Sequence, residues 1–125
     1  MRVLLDTHVF LWCVNDSRKL KAPARRLLAA AEAAYVSAAS IWEIAIKASL
    51  GKLEADAEEL ARAIEESGFR ELAISAHHAA RVARLPRHHG DPFDRLLLAQ
   101  ALTEPLIFVT ADTALRAYGE FVEVV

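Results

Sequence analysis

The chain has 125 residues, of which 54% are apolar, and its 15 Lys plus Arg stand against 17 Asp plus Glu for a formal net charge of −2. That length supports one domain over residues 1–125 with a proper core and is too short for two. The near balance of charge excludes a broad basic footprint, so any contact with nucleic acid must be local. A single cysteine, Cys13, excludes an intramolecular disulfide and an all-cysteine metal site and fits a reducing, cytoplasmic compartment.

In chain order, Arg2 to Leu5 is a short apolar run ending at Asp6 and Thr7, after which Val9, Phe10, Leu11 and Val14 form a helical stripe. Asp6 and His8 interrupt this run, so it does not read as a signal sequence, and no stretch reaches the roughly 18 apolar residues of a membrane span. Pro23 opens a second helix through about Ala34, Tyr35 to Ser37 is a brief strand, and Ser40 to Leu50 is a helix closed by Gly51. Asp56 to Ser67 forms an amphipathic helix ended by Gly68. Leu72 to Ile74 is a small strand, and Ser75 caps a helix that Pro86 terminates. The breaker-rich loop PRHHGDP leads into a helix beginning DPFD. Leu106 to Val109 is a strong strand, Asp112 to Tyr118 a short helix, and Phe121 to Val125 a last strand. This alternation predicts an α/β fold with a parallel sheet, helices on both faces and ligands beyond the carboxyl ends of the strands. Asp6 and Asp112, each just past a strand, then share one rim.

Two aspartates open the last long helix. Asp91 suits the N-cap and Pro92 the first helical position. Asp94 gains only about 0.3–1 kcal/mol from the helix dipole at an exposed site, yet the apolar Leu96, Leu97, Leu98, Ala99, Ala101 and Leu102 that follow indicate a helix buried on more than one side. Asp94 therefore needs a partner. Glu43 has local explanations of its own: Ser40 to Glu43 spells a capping box, and Glu43 with Lys47 makes a favourable i, i+4 pair. Taken singly, Glu43 and Asp112 read as structural, and Asp6 or Thr7 as a helix cap. Taken together, Asp6, Glu43, Asp94 and Asp112 lie at strand ends or helix starts that this fold class gathers on one rim. Clustered carboxylates resist ionisation together. A hard divalent cation such as Mg²⁺ removes that conflict and suits phosphodiester hydrolysis.

Other chemistries fare worse. There is no P-loop and no GxGxxG, and the DxD of a haloacid-dehalogenase phosphatase is broken because His8 stands two residues after Asp6. The pairs His77, His78 and His88, His89 lack zinc-ligand spacing and read as surface or substrate-side residues. Ser37, Ser40 and Ser75 look like caps. Trp12 and Trp42 read as core. Arg84, Arg87, His88, His89 and Arg95 form a local basic segment able to meet a phosphate backbone, with Lys47 and Lys52 as further contributors; a solvated loop is the equal alternative.

LLDTHVFLW, SAASIWEIAIKASLGKL, HHGDPFDRLLLAQAL and VTAD, in that order over essentially the whole chain, resemble a PIN-domain protein of the VapC toxin type. The resemblance implies a three-layer sandwich with a short, mostly parallel central sheet flanked by helices. It implies a Mg²⁺- or Mn²⁺-dependent ribonuclease, the toxin of a type II toxin–antitoxin pair, working as a homodimer and neutralised by a cognate antitoxin laid over the acidic site. Carried over by position, its acids fall on Asp6, Glu43, Asp94 and Asp112, as catalytic residues and metal ligands, with Thr7 and Thr110 in supporting hydroxyl positions. His8 departs from the small polar residue common there. The implied reaction is in-line hydrolysis of RNA leaving a 5′-phosphate and a 3′-hydroxyl. The competing reading is a non-catalytic PIN-like module that binds RNA or protein.

Overall fold

The computed structural model describes residues 1–125. β1 (Arg2–Leu5) runs up the centre of a five-stranded sheet and feeds α1 (Thr7–Val14) directly. α2 (Ala22–Ala30) returns the chain to β2 (Ala33–Ser37), which pairs parallel with β1 and passes without a loop into α3 (Ala38–Ser49). α4 (Ala57–Glu66) leads to β3 (Arg70–Leu72) at one edge. α5 (Ala76–Arg81) continues as a 3-10 turn over Val82–Arg84, and α6 (Pro92–Thr103) precedes β4 (Ile107–Thr110). A 3-10 helix over Thr113–Tyr118 and β5 (Val122–Val124) complete the other edge. The strand order is β3-β2-β1-β4-β5 with every neighbour parallel.

The alternation of side chains on β1 builds both layers. Val3 and Leu5 face α1, α2 and α4, where Val9, Phe10, Ala24, Leu60 and Ile64 close one core. Leu4 faces the other way, against Phe108, Leu97, Leu98 and Leu115. α3 serves both, with Ile44 in the first cluster and Ala39 in the second. No helix is long and apolar enough to cross a membrane.

β4 (Ile107–Thr110) and β5 (Val122–Val124) lie within one residue of the expected strands, and three larger differences from the sequence expectation have causes in the fold. α2 ends at Ala30 instead of Ala34, because Ala33 and Ala34 pair with Arg2 and Val3; tertiary pairing overrides the helix preference of an alanine run. β3 lies two residues earlier than Leu72–Ile74, since Gly68 at φ +84 turns the chain straight from α4 into the sheet. α3 starts at Ala38, capped by Ser37, whose Oγ accepts from the Ala39 amide at 3.0 Å. Ser40 is therefore inside the helix and the Ser40–Glu43 capping box does not form.

Leu98 is fully buried in the second core, so Leu98→Ala should lower the unfolding free energy by about 2–5 kcal/mol. Asp91→Ala, which removes a cap accepting from Phe93 and Asp94 amides at 2.8 and 3.1 Å, should cost about 1 kcal/mol. Urea denaturation followed by circular dichroism measures both.

Candidate active site

β1 connects to β2 on one side of the sheet, while β4 lies on its other side, so the crevice beyond the carboxyl ends of β1 and β4 is the topological switch point. The β1–β4 ladder extends to Asp6, whose amide donates to the Val109 carbonyl at 2.8 Å. Asp6 occupies the N-cap position of α1 with extended backbone, yet its side chain caps nothing. Its Oδ2 instead accepts from the Thr110 hydroxyl at the end of β4. Asp56, Asp91 and Asp112, by contrast, all cap in the ordinary way. Burial pushes the Asp6 carboxyl above the usual carboxylate range, against the Thr110 hydrogen bond and the His8 charge, and Glu43 adds to the rise.

Glu43 is buried on α3 next to this position. Thr7 Oγ1 lies 2.7 Å from Glu43 Oε1 and 2.9 Å from Ser40 Oγ; with one proton to give, Thr7 donates to the carboxylate and accepts from Ser40. Lys47, one turn on, forms an ion pair with Oε2. That contact, first, raises the Lys47 ammonium above its ordinary range. Lys47 and Lys52 line a cleft of about 240 Å³ together with Thr7, His8 and Glu43. A larger cavity, about 500 Å³ between α1 and α4, is lined by Leu11, Asp56 and Leu60 and contains none of the four acids.

Asp94 enters from the first turn of α6, where Asp91 and Pro92 start the helix. His89 Nε2 is 2.9 Å from its Oδ2. Burial, then the charges of Asp6 and Asp91, push the Asp94 carboxyl up to about 7 despite His89. Asp112 follows β4; its Oδ1 accepts from the Ala114 amide at 2.9 Å, and its own amide donates to Thr110 Oγ1 at 3.1 Å. Ligand atoms of His89, Asp94 and Asp112 all lie within 4.8 Å of one another. The structure thus gathers Asp94 and Asp112 directly, and Asp6 couples to Asp94 on one side and Glu43 on the other through their charges.

Several expectations need correction. His78 is not a surface residue: it is buried, accepts at Nδ1 from the Ser75 amide and lies 2.7 Å from Glu104. Arg95 is not free for phosphate, because its guanidinium donates to the Pro86, Val82 and Leu85 carbonyls and to the Tyr118 hydroxyl. Trp42 is 56% exposed and stands edge-on to Phe93 at 4.9 Å, whereas Trp12 packs on the first core. Sequence reading placed His89 in a basic loop and missed its contact with Asp94; the HxxxxD spacing across a helix start carries no periodic signal. Ser40, read as a cap, instead supports Thr7.

This donor set suits a hard divalent cation. Its acidic members supply carboxylate oxygens from four separate elements, and two of them, Asp6 and Asp94, resist ionisation because they are buried and lie near other acids.

A short parallel sheet between helical layers, with acids converging at its switch point, defines a class of α/β domain with an acidic centre. The model of the PIN domain family matches residues 3–120, and the chain belongs to that family. Ribonuclease VapC22 of Mycobacterium tuberculosis is 31% identical over 119 residues, covering 93% of this chain and 91% of that protein. Among solved structures, a toxin–antitoxin complex from Klebsiella pneumoniae contains a similar chain (TM-score 0.68, 19% identity, 98% and 96% coverage). VapBC2 from Rickettsia felis, bound to a DNA fragment from its promoter, contains another (TM-score 0.67, 16% identity, 100% and 98% coverage). FitAcB from Neisseria gonorrhoeae contains a third (TM-score 0.63, 22% identity, 91% and 89% coverage). These structures agree with the fold expected from the sequence.

A carboxyl whose folded pKa is raised to about 7 binds its proton more tightly in the folded state, so Asp94 favours folding at low pH and that contribution is lost as pH rises from about 4 to about 7. The metal-free protein should lose melting temperature across this window, and Asp94→Asn should flatten the loss. Mg²⁺ or Mn²⁺ should raise the melting temperature at pH 8 far more than at pH 5. Thermal melts at fixed ionic strength check all three.

Proposed function

We propose that this protein is a Mg²⁺- or Mn²⁺-dependent ribonuclease that hydrolyses RNA phosphodiester bonds. We further propose that it is the toxin of a type II pair, forms a homodimer and is restrained by a cognate antitoxin. One observation carries the catalytic reading: Asp6 stands at a helix N-cap but its carboxylate makes no capping hydrogen bond, accepting instead from Thr110 within the charge field of Glu43 and Asp94. A cap residue that forgoes its local hydrogen bond in favour of repulsion between acids has a ligand to meet. The names of the relatives, a ribonuclease and toxin–antitoxin complexes, support the same reading.

In this account Asp6, Asp94, Glu43 and Asp112 are the oxygen donors of the metal site and thereby the catalytic residues. The bound cation supplies charge neutralisation and Lewis-acid polarisation of the phosphodiester. Thr110 holds Asp6 through Oδ2, and Thr7 and Lys47 hold Glu43 through Oε1 and Oε2, so each carboxylate is fixed in direction. Lys47 balances the Glu43 charge and, with Lys52, offers cations to the phosphate flanking the scissile bond. Asp112 is fixed by the amides of its own turn. Hydrolysis puts the water oxygen on phosphorus opposite the departing 3′-oxygen; the 3′-oxygen takes a proton, leaving a 3′-hydroxyl and a 5′-phosphate. The reaction requires no covalent bond between these side chains and phosphorus.

Purified protein incubated with total RNA should yield discrete fragments bearing 5′-phosphates in Mg²⁺ or Mn²⁺, and none with EDTA or for Asp94→Asn. Thr110→Val, which keeps shape and removes the hydroxyl on Asp6, should lose about 10–100-fold in activity or metal affinity. Cleavage that survives EDTA and Asp94→Asn contradicts the reading. Binding of RNA without cleavage would assign the domain to the non-catalytic class.

A further inference from the structure

Between Glu71 and Asp91 the chain carries three arginines and four histidines and not one carboxylate, in a molecule whose net charge is −2. The structure arranges these residues on two faces of α5 and the turn that continues it. His78 and Leu85 are buried and Val82 is half-buried against the second core, whereas His77, Arg81 and Arg84 are exposed along the opposite side. The spacing i, i+4, i+7 makes them one stripe. They line a groove of about 410 Å³ with Ala80 and Thr103 of α6.

None of these cations is engaged elsewhere. The ion pairs of the molecule join Met1 to Glu32, Arg25 to Asp16, Lys47 to Glu43, His78 to Glu104 and His89 to Asp94, and involve neither Arg81 nor Arg84. Glu104, beside the groove floor at Thr103, is occupied by His78 at 2.7 Å. The stripe also points at the acidic centre. α5 runs antiparallel to α6, with His78 against Glu104 at one end and Val82 and Leu85 clamped by Arg95 at the other. Arg95 is the neighbour of Asp94. Beyond Arg84 the chain passes Arg87 and His88 and reaches His89, on the Asp94 carboxylate.

We propose that the His77–Arg81–Arg84 groove between α5 and α6 is an auxiliary docking track for the phosphate backbone of an RNA strand whose scissile bond lies at the Asp6–Asp94 centre. This rests on the ribonuclease reading above. From His77 to Arg84 the stripe spans about 10 Å at the helical rise, matching about three phosphates of a stacked strand. Arginine side chains on an exposed helix face give sequence-independent affinity and no base readout. An RNA strand fits better than an acidic protein segment because the groove offers almost no apolar anchor, Ala80 being the one hydrophobic residue lining it.

The test is the salt dependence of binding to a fluorescent oligouridine, measured by anisotropy at fixed Mg²⁺ with Asp94→Asn in every protein to suppress cleavage. Arg81→Gln with Arg84→Gln should lower the slope of log K against log salt by about 1.4, at about 0.7 for each single-strand phosphate that is no longer neutralised. Arg81→Lys with Arg84→Lys should restore most of it, and the charge control Arg26→Gln on α2 should leave it unchanged. An unaltered slope in the double glutamine variant overturns the proposal. So does an equal drop per charge at Arg26, which would mark diffuse attraction. Tighter binding of an oligoglutamate of matched charge, abolished in the same variants, would assign the groove to an acidic protein segment instead. Absence of wild-type cleavage sinks the ribonuclease reading and leaves the slope to be judged separately.

Discussion

The hydrogen bond from Thr110 to Asp6 joins the carboxyl ends of β4 and β1 across the switch point of the sheet. Everything acidic in the crevice is arranged around it. Burial of Asp6 opposes its ionisation, and Glu43 opposes it further; the Thr110 hydroxyl offsets part of that cost and fixes the direction of the carboxylate. The same choice leaves the first amides of α1 without a side-chain cap, a forfeit of about 1 kcal/mol at such a position. A protein optimised for stability alone would rotate Asp6 onto its own helix. Local consistency is broken here and restored at Asp56, Asp91 and Asp112, which is where a functional demand is expected to surface.

The fold was legible because its signals are local. Short apolar runs alternating with capped helices specify a parallel sheet, and the DPFD start separates a capping Asp91 from an unassigned Asp94. What the sequence could not disclose depends on contacts between distant elements. Ser40 and Glu43 satisfy a capping-box pattern, yet the tight passage from β2 to α3 moves the cap to Ser37 and releases both residues toward Thr7. The alanines after α2 prefer helix, yet β1 needs a partner strand. Arg95 reads as part of a basic segment able to meet phosphate and is consumed tying three carbonyls of the α5–α6 connection. His89 reads the same way and lies on Asp94. Neither assignment follows from spacing.

The net charge of −2 conceals a separation of charge. Asp6, Glu43, Asp94 and Asp112 come from the places where β1, β4, α3 and α6 converge, while Arg81, Arg84 and Arg87 follow one another with no intervening acid and Lys47 and Lys52 line the cleft. Such an arrangement draws a polyanion to the flanks of a centre that would by itself repel it. Lys47 is the one ammonium in direct contact with any of the four acids; it pairs with Glu43 and reaches Asp94 only through its charge, and a divalent cation in the crevice would relieve the repulsion that remains. His89 touches Asp94 without returning it to the ordinary carboxylate range.

The central claim is that this crevice is built to hold a divalent cation, and calorimetric titration of Mn²⁺ at pH 6.5 in two buffers of different ionisation enthalpy tests it most directly. Because Asp94 is partly protonated at that pH, binding should release protons, and the apparent enthalpy should differ between the buffers. Asp94→Asn should abolish the release and weaken binding. Binding of equal strength in wild type and variant, with no buffer dependence, would contradict the account.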